Sequence, residues 1–306
     1  YGPDDYRWLG PQEIAEIARV NASRGALFTP HAAAIHPAKL ARGLARVVEE
    51  MGVKIYEQTR AISQTKGLVA TDLGEIRSET ILRCTEAFTV TMPGESRTYI
   101  PVYSLMLATE PLPAWFWAKA GFDDRQVFND GRHLIIYGQR TADGRLAFGG
   151  RGARYHFSSA LDPAFDRQPK VHEAVRRILW SLFPDLGQAR VTHTWGGAVA
   201  IPRDWRPSVV FDRASRLGYA GGYVGEGVAA SNLAGRTLAD LVLGRETDLV
   251  RLPWVGYKSR RWEPEPLRWL GVNAGTKLTP AIDRIEARTQ KPSRLLAGAL
   301  KLLTGR

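Results

Sequence analysis

The chain is nearly without cysteine. Cys84 stands alone among 306 residues, so an internal disulfide and a cysteine-based metal site are both excluded. The six histidines, His31, His36, His133, His156, His172 and His193, include no H-x-H or H-x-x-x-H pair, and no metal is expected. No apolar run approaches the ~20 residues that a membrane-spanning helix needs. Residues 1–20 carry no cationic segment followed by an apolar core, so they are not a secretory signal. No zinc-finger spacing or aromatic-interleaved RNA motif is present, and no nucleic-acid partner is expected. With one cysteine and no signal, a reducing, cytoplasmic location is the expectation. The first residue is Tyr1 and the first methionine is Met51. The chain therefore reads as processed, truncated or lacking its start.

What remains is an ordinary globular composition, 44% apolar and 24% charged, with enough material for one large domain or two interleaved ones. The net charge is +11, and much of the excess lies at the end. Residues 258–306 hold eleven Lys or Arg against four Asp or Glu, a net of +7. Two readings stay open for this stretch: a solvated basic tail, or a surface that meets anionic membrane.

Periodicity predicts the elements. Pro11 opens a short helix with Ile14 and Ile17, and an apolar run covers Ala26 to Phe28. Pro37 opens a helix whose Leu40, Leu44, Val47, Val48 and Met51 recur at helical spacing; Gly52 ends it, and Val53–Tyr56 reads as a strand. A small meander follows around Ala61, Leu68–Ala70 and Ile76, then a strand at Ile81–Cys84. Strand-like runs at Tyr99–Thr109, His133–Tyr137, Leu146–Phe148 and Val191–Trp195, with a helix through Val171–Leu182, read as an antiparallel sheet with a helix on one face. Val209–Phe211 and Leu217–Ala220 form a hairpin that runs into a glycine-rich turn and an alanine-rich helix ending near Leu243. The Pro- and Arg-rich residues from 246 onward read as an irregular tail, dispensable for the core, with a short amphipathic helix over Ser293–Leu303.

The turn is Gly221-Gly222-Tyr223-Val224-Gly225-Glu226-Gly227. Four glycines in seven residues let backbone approach a flat or charged ligand without Cβ obstruction. The helix beyond presents free N–H groups and a partial positive charge to that turn, which suits phosphate or a delocalised anion. Gly225 to Ala230 also fits G-x-G-x-x-A. No second strand with an acidic end follows the helix, so this is not a dinucleotide fingerprint.

Three segments in order resemble the D-amino-acid oxidase superfamily, in its glycine, sarcosine and glutamylputrescine oxidase branch. They are Gly25–Pro30 through Ile35-His36-Pro37 to Tyr56; Ile100–Pro113; and Thr194-Trp195-Gly196-Gly197 with the glycine turn and its helix. The resemblance spans roughly residues 10–245. It implies a mixed α/β (α+β) fold, with an incomplete FAD-binding, Rossmann-like domain interleaved with an antiparallel-sheet substrate domain. Residues 1–24 would end an earlier substrate-domain insertion. Residues 25–96 and 208–245 would belong to the FAD domain, residues 97–207 to the substrate domain, and 246–306 to the basic tail. The cofactor implied is FAD and the substrate a small amine or amino acid, oxidised at its C–N bond with hydride passing to flavin N5.

The resemblance implies that Gly221, Gly222, Gly225, Glu226, Gly227 and Val228, with Ala61 and Thr85, contact the cofactor. Tyr137, Trp195 and Arg203 are the catalytic candidates, each with a plain alternative as strand, core or surface residue. Tyr103 is a further cavity candidate. Arg203 and Arg206 around Asp204 offer a fork for a substrate carboxylate. His36, ahead of Pro37, reads as a helix cap. Three departures stand out. The family's G-x-G-x-x-G is absent. Arg83-Cys84-Thr85-Glu86-Ala87 lacks the glycine of the family's A-x-G turn. Glu226 stands where relatives carry His. Cys84 is misplaced for a thioether link to flavin. These departures keep a second reading open, a truncated or degenerate homologue that acts as a binding module or has no independent activity.

Overall fold

The computed structural model describes residues 2–152 and 154–304. In chain order the elements are β1 (Arg7–Leu9), α1 (Pro11–Ile17), β2 (Ala26–Phe28), α2 (Pro37–Glu50), β3 (Ala61–Thr65), β4 (Leu68–Thr71), β5 (Gly74–Arg77), β6 (Ile81–Arg83), β7 (Ile100–Thr109), α3 (Ala114–Ala120), β8 (Val127–Asn129), β9 (Ile136–Arg140), β10 (Leu146–Arg151), α4 (Pro169–Leu182), β11 (Val191–Ile201), β12 (Ser208–Asp212), β13 (Leu217–Gly221), α5 (Gly227–Leu243), α6 (Leu267–Thr289) and α7 (Arg294–Thr304). They are mixed α and β, as expected, and fall into two compact units.

The first unit takes residues 1–36, 104–153 and 163–197. Its sheet runs β11-β7-β10-β9-β8, and from β7 to β8 each strand is antiparallel to its neighbour. Leu105 and Leu107 alternate inward along β7, the period-two pattern of a strand with one covered face. Val175, Leu179 and Leu182 come round one side of α4 at helical spacing and meet Leu107, Phe116, Ile136 and Phe148 in a single core. Pro169 sits in the first turn of α4, where its missing N–H costs nothing. Residues 25–36 group by contact with 1–24, because Ala26–Phe28 pairs antiparallel with Arg7–Leu9.

The second unit takes residues 37–103, 154–162 and 198–306. β12 and β13 form the expected antiparallel hairpin, and β6 adds to it in parallel. Ala234 and Leu238 of α5 pack on Val209 and Ala220, the close contact that small residues permit. The meander β3-β4-β5 is a separate antiparallel sheet.

Three expectations fail in detail. Val53–Tyr56 is not a strand: it joins no ladder, and all four residues are exposed. A strand needs a neighbour for its N–H and C=O groups, and none of the described residues supplies one. The strand read at His133–Tyr137 begins at Ile136 and runs on to Arg140, paired on both sides. The residues from 246 onward are irregular only as far as 266. They hold the 23-residue α6, which accommodates Pro280, and α7, close to the amphipathic helix expected there.

Nor is that region peripheral. Trp262 is buried with Ile100, Tyr155 and Ile201, and its Nε1 donates to the Ile201 carbonyl at 2.8 Å. Arg268 is buried as well and donates to Glu265 and to the Ser96 carbonyl. Glu265 also accepts from the Tyr155 hydroxyl and from the backbone N–H groups of Ser158 and Trp269. A buried ion pair survives only with its remaining polar atoms satisfied, and this network meets that condition for the Glu265 carboxylate. Composition misled here because Pro and Arg density says nothing about which Arg finds a buried partner.

Candidate functional site

β13 ends at Gly221 and the chain turns sharply into α5. Gly222 has φ +78° and Gly225 φ +99°. A Cβ on Gly222 would stand 3.1 Å from the Tyr99 ring and 3.2 Å from Pro202, so the dihedral favours glycine and the space beside it is tight. Val224, between them, also has a positive φ, +58°, a costly conformation for a β-branched residue. The Glu226 N–H donates to the Tyr223 carbonyl at 2.9 Å and closes the turn. α5 then starts at Gly227 with no side chain capping it. Its first N–H groups are left for solvent or a ligand. Gly225, Glu226 and Val228 are exposed, and a Cβ on Gly227 would meet nothing nearer than Tyr223 at 3.7 Å. An uncapped, accessible helix start with open space before it fits the anionic edge of a flavin ring.

Behind the turn lies a carboxylate. Glu86 accepts from the backbone N–H of Gly222 at 2.7 Å and of Tyr223 at 3.2 Å. Its own φ is +43°, a glycine-like conformation at the place where the sequence lacks the expected glycine. Burial pushes the Glu86 carboxyl above its ordinary range, opposed by the backbone bonds from Gly222, Tyr223 and Ala200. Burial and then the Glu86 charge raise the Tyr99 hydroxyl. The Tyr223 hydroxyl is raised by burial, with Cys84 and Glu86 adding to the effect. Thr85, next to Glu86, exchanges a hydroxyl hydrogen bond with Thr89 at 2.8 Å. Burial also pushes the Cys84 thiol up, although the residue as a whole is exposed, so it is no activated nucleophile.

The structure therefore brings Gly221, Gly222, Gly225, Glu226, Gly227 and Val228 together with the Thr85–Glu86 segment and Pro202. Ala61 lies on β3, paired with Thr71, and none of the described contacts ties it to the turn. Arg203 follows Pro202 and is 7% exposed. Its Nε donates to both oxygens of Glu263, at 3.0 and 3.1 Å, and its guanidinium lies over the Trp262 ring at 4.8 Å. Its Nη1 has no hydrogen-bond partner among the described residues. Arg206 is exposed, and Asp204 instead pairs with the Tyr257 hydroxyl. The two arginines do not form the anticipated fork.

Tyr137 and Trp195 belong to the first unit. The Tyr137 hydroxyl bonds the Ser104 hydroxyl across the sheet, and Trp195 lies on β11 with its indole partly exposed. The His172 Nε2 lies 3.2 Å from the Trp195 carbonyl. Tyr103 is buried in the second unit, edge-on to His156 and bonded by the Asp162 N–H at 3.4 Å. His36 precedes α2 and is exposed. Sequence reasoning missed Glu86 as the partner of the turn, and missed Glu263, Glu265 and Arg268. Glu86 was visible only as a departure from a glycine. No group of three or more His, Cys, Asp or Glu among the described residues has metal-binding geometry.

Residues 1–241 match the model of the DAO family, described as FAD dependent oxidoreductase. The chain is 32% identical over 222 residues to a probable oxidoreductase OrdL of Rhizobium meliloti, covering 70% of this chain and 48% of the relative. It is 28% identical over 251 residues to the gamma-glutamylputrescine oxidoreductase of Escherichia coli, covering 80% and 56%. The chain thus spans about half the length of the curated relatives it matches. Among solved structures, glycine oxidase from Geobacillus kaustophilus superposes with a TM-score of 0.68 at 20% identity, covering 82% of this chain and 66% of that one. L-proline dehydrogenase from P. horikoshii does so with 0.67 at 19% identity, covering 80% and 66%. At such identities these two likenesses are likenesses of fold.

Proposed function

This chain belongs to the DAO family of FAD dependent oxidoreductases, and from that premise we propose that it forms the part of such an enzyme that meets the reactive ring of FAD and an amine or amino-acid substrate. The observation that carries the reading is the Gly221–Gly227 turn, with the uncapped start of α5 beyond it. FAD, when bound, would supply the two-electron acceptor for oxidising the carbon beside the substrate nitrogen to an imine, which water would hydrolyse.

The chain's own residues would do the rest. The N–H groups at the start of α5 would stabilise negative charge on the flavin ring. Glu86 holds Gly222 and Tyr223 in place from behind. Arg203, whose Nε is held by Glu263, is the candidate for an acidic substrate group in the second unit, and Tyr137 and Trp195 are the candidates on the sheet of the first. Val228 and Thr85 border the cofactor, and Ala61 does so from the meander. The second unit then carries the cofactor and the sheet of the first unit the substrate. A reducing cytoplasmic setting suits this chemistry.

The test is flavin retention by a full-length protein. Gly225→Val and Gly227→Val are expected to lose FAD, with the β7–β11 sheet intact by circular dichroism; full retention would remove the cofactor from this turn. Glu226→Gln is expected to raise the flavin midpoint potential, because a neighbouring carboxylate disfavours the reduced anion.

A second reading is a homologue that folds but holds flavin weakly. The Glu86 carboxylate favours it, since it already occupies two amides of the turn. Equilibrium dialysis of the 306-residue chain against FAD separates the two. Weak or no binding is expected for the chain by itself, and stoichiometric yellow protein refutes that.

A further inference from the structure

α6 and α7 lie beyond the last residue of the family match, 241, so the family's chemistry does not account for them. α6 has two unlike sides. Arg268, Gly275, Thr279 and Ile282 are buried, and at 100° per residue they fall on one side. Leu270, Lys277, Arg284 and Arg288, spaced by seven, seven and four, fall on the other, flanked by Ala274, Ala281 and Ile285. Leu270, Lys277, Arg284, Ile285 and Arg288 are all exposed. No Asp or Glu stands in this stripe. Asp283 and Glu286 lie off it and are half-buried, and Glu286 accepts from the Ser293 N–H at 2.8 Å.

The connection to α7 continues the character. Lys291 and Arg294 are exposed, and Leu295 is 90% exposed. None of these five cations joins an ion pair among the described residues. No helix of the described residues is long and apolar enough to cross a membrane.

We propose that the α6–α7 hairpin docks this chain on an anionic lipid surface. Lys277, Arg284, Arg288, Lys291 and Arg294 meet the headgroups, and Leu270, Ile285 and Leu295 enter the interface. An unopposed row of cations alone would also suit nucleic acid. The exposed Leu270, Ile285 and Leu295 decide against that, because they would lie against phosphates where they gain nothing, whereas at a bilayer each buries apolar surface.

The experiment is sedimentation of the purified chain with vesicles of phosphatidylcholine alone and with about 30% phosphatidylserine. Binding is expected only to the anionic vesicles, and it should fall at least ~10-fold between about 0.05 and 0.5 M salt. The triple variant K277E/R284E/R288E should lose ~100-fold or more, since each cation near such a surface is worth about a factor of five in partition. Should circular dichroism show that this variant misfolds, K277Q/R284Q/R288Q takes its place with the same expected direction. The pair I285S/L295S should weaken binding at high salt, where the apolar contribution remains. A charge-matched control, K54E/R125E/R213E, should bind as the parent does. Equal binding to neutral vesicles would overturn the proposal, as would an equal loss in the control. So would displacement of the chain from anionic vesicles by a DNA duplex at lower concentration than by competing anionic lipid.

Discussion

α2 and α4 are alike in sequence terms. Each has fourteen residues, each begins with proline, and each gathers its apolar side chains on one face. α4 lays that face on the sheet of the first unit and buries Val175, Leu179 and Leu182 completely or nearly so. α2 buries nothing; Leu44 is 61% exposed and Val47 51%. An amphipathic pattern states what a helix needs and not whether the chain supplies it. Most helical stability comes from the partner of the apolar face, so the two helices contribute very differently although their patterns agree.

Cutting the chain after Gly244 should have the largest effect, because it gives the second unit the condition of α2. It strips Trp262 and Arg268 from Ile100, Tyr155, Ile201 and Ser96, and loss of a cooperative urea transition is expected. A truncated chain that melts like the parent would show that the α6 region is as dispensable as its composition suggested.

Next comes the direct contrast. Leu179→Ala removes a fully buried side chain from a packed core and should cost about 2–5 kcal/mol in denaturant melts. Leu44→Ala, the same change on α2, should lie within about 0.5 kcal/mol. Comparable losses would mean that α2 has a partner in solution, and such a partner should also suppress binding of an apolar dye to the parent chain.

Glu86 extends the comparison to polar groups, since it covers amides that would otherwise be bare. Glu86→Ala leaves two amides of the turn without acceptors and should cost about 2–4 kcal/mol. Glu86→Gly loses the same bonds but suits φ +43°, and should be more stable than the alanine variant by about 1 kcal/mol. Equal stability of the two would show that the left-handed dihedral is not strained.

The smallest effect is in pH dependence. The folded state holds the Glu86 carboxyl above its ordinary value of 4.5. Its contribution to stability is therefore fully present below that value and is lost as pH rises through the folded one. The parent minus Glu86→Gln difference in stability should fall over that range. A difference that rises with pH would mean that the backbone bonds outweigh burial.

Much of the architecture was legible in the sequence. The hairpin β12–β13, the glycine turn and α5 follow from local signals, because each is specified by residues adjacent in the chain: apolar alternation, four glycines, then small helix formers. The sheet of the first unit was legible as strands, and its order was not, since pairing is decided by distant residues. The strand expected at Val53–Tyr56 has apolar residues in the right places and fails for want of a neighbour. Glu263, Glu265 and Arg268 were invisible because a charged residue looks solvated until its buried partner is known. Glu86 was visible as an anomaly, and only the geometry shows that its side chain takes over part of what glycine would leave to others.

Gly222, Val224 and Gly225 all have positive φ, and the Glu86 carboxylate pins the Gly222 and Tyr223 amides from within the chain. A ligand arriving there meets a socket whose shape is set beforehand. Capture should therefore proceed at a rate proportional to ligand concentration, without the plateau that marks a loop waiting to rearrange. The valine in that socket would then act as a latch on timing: replaced by glycine, the turn samples other shapes, and stopped-flow traces should acquire a concentration-independent phase.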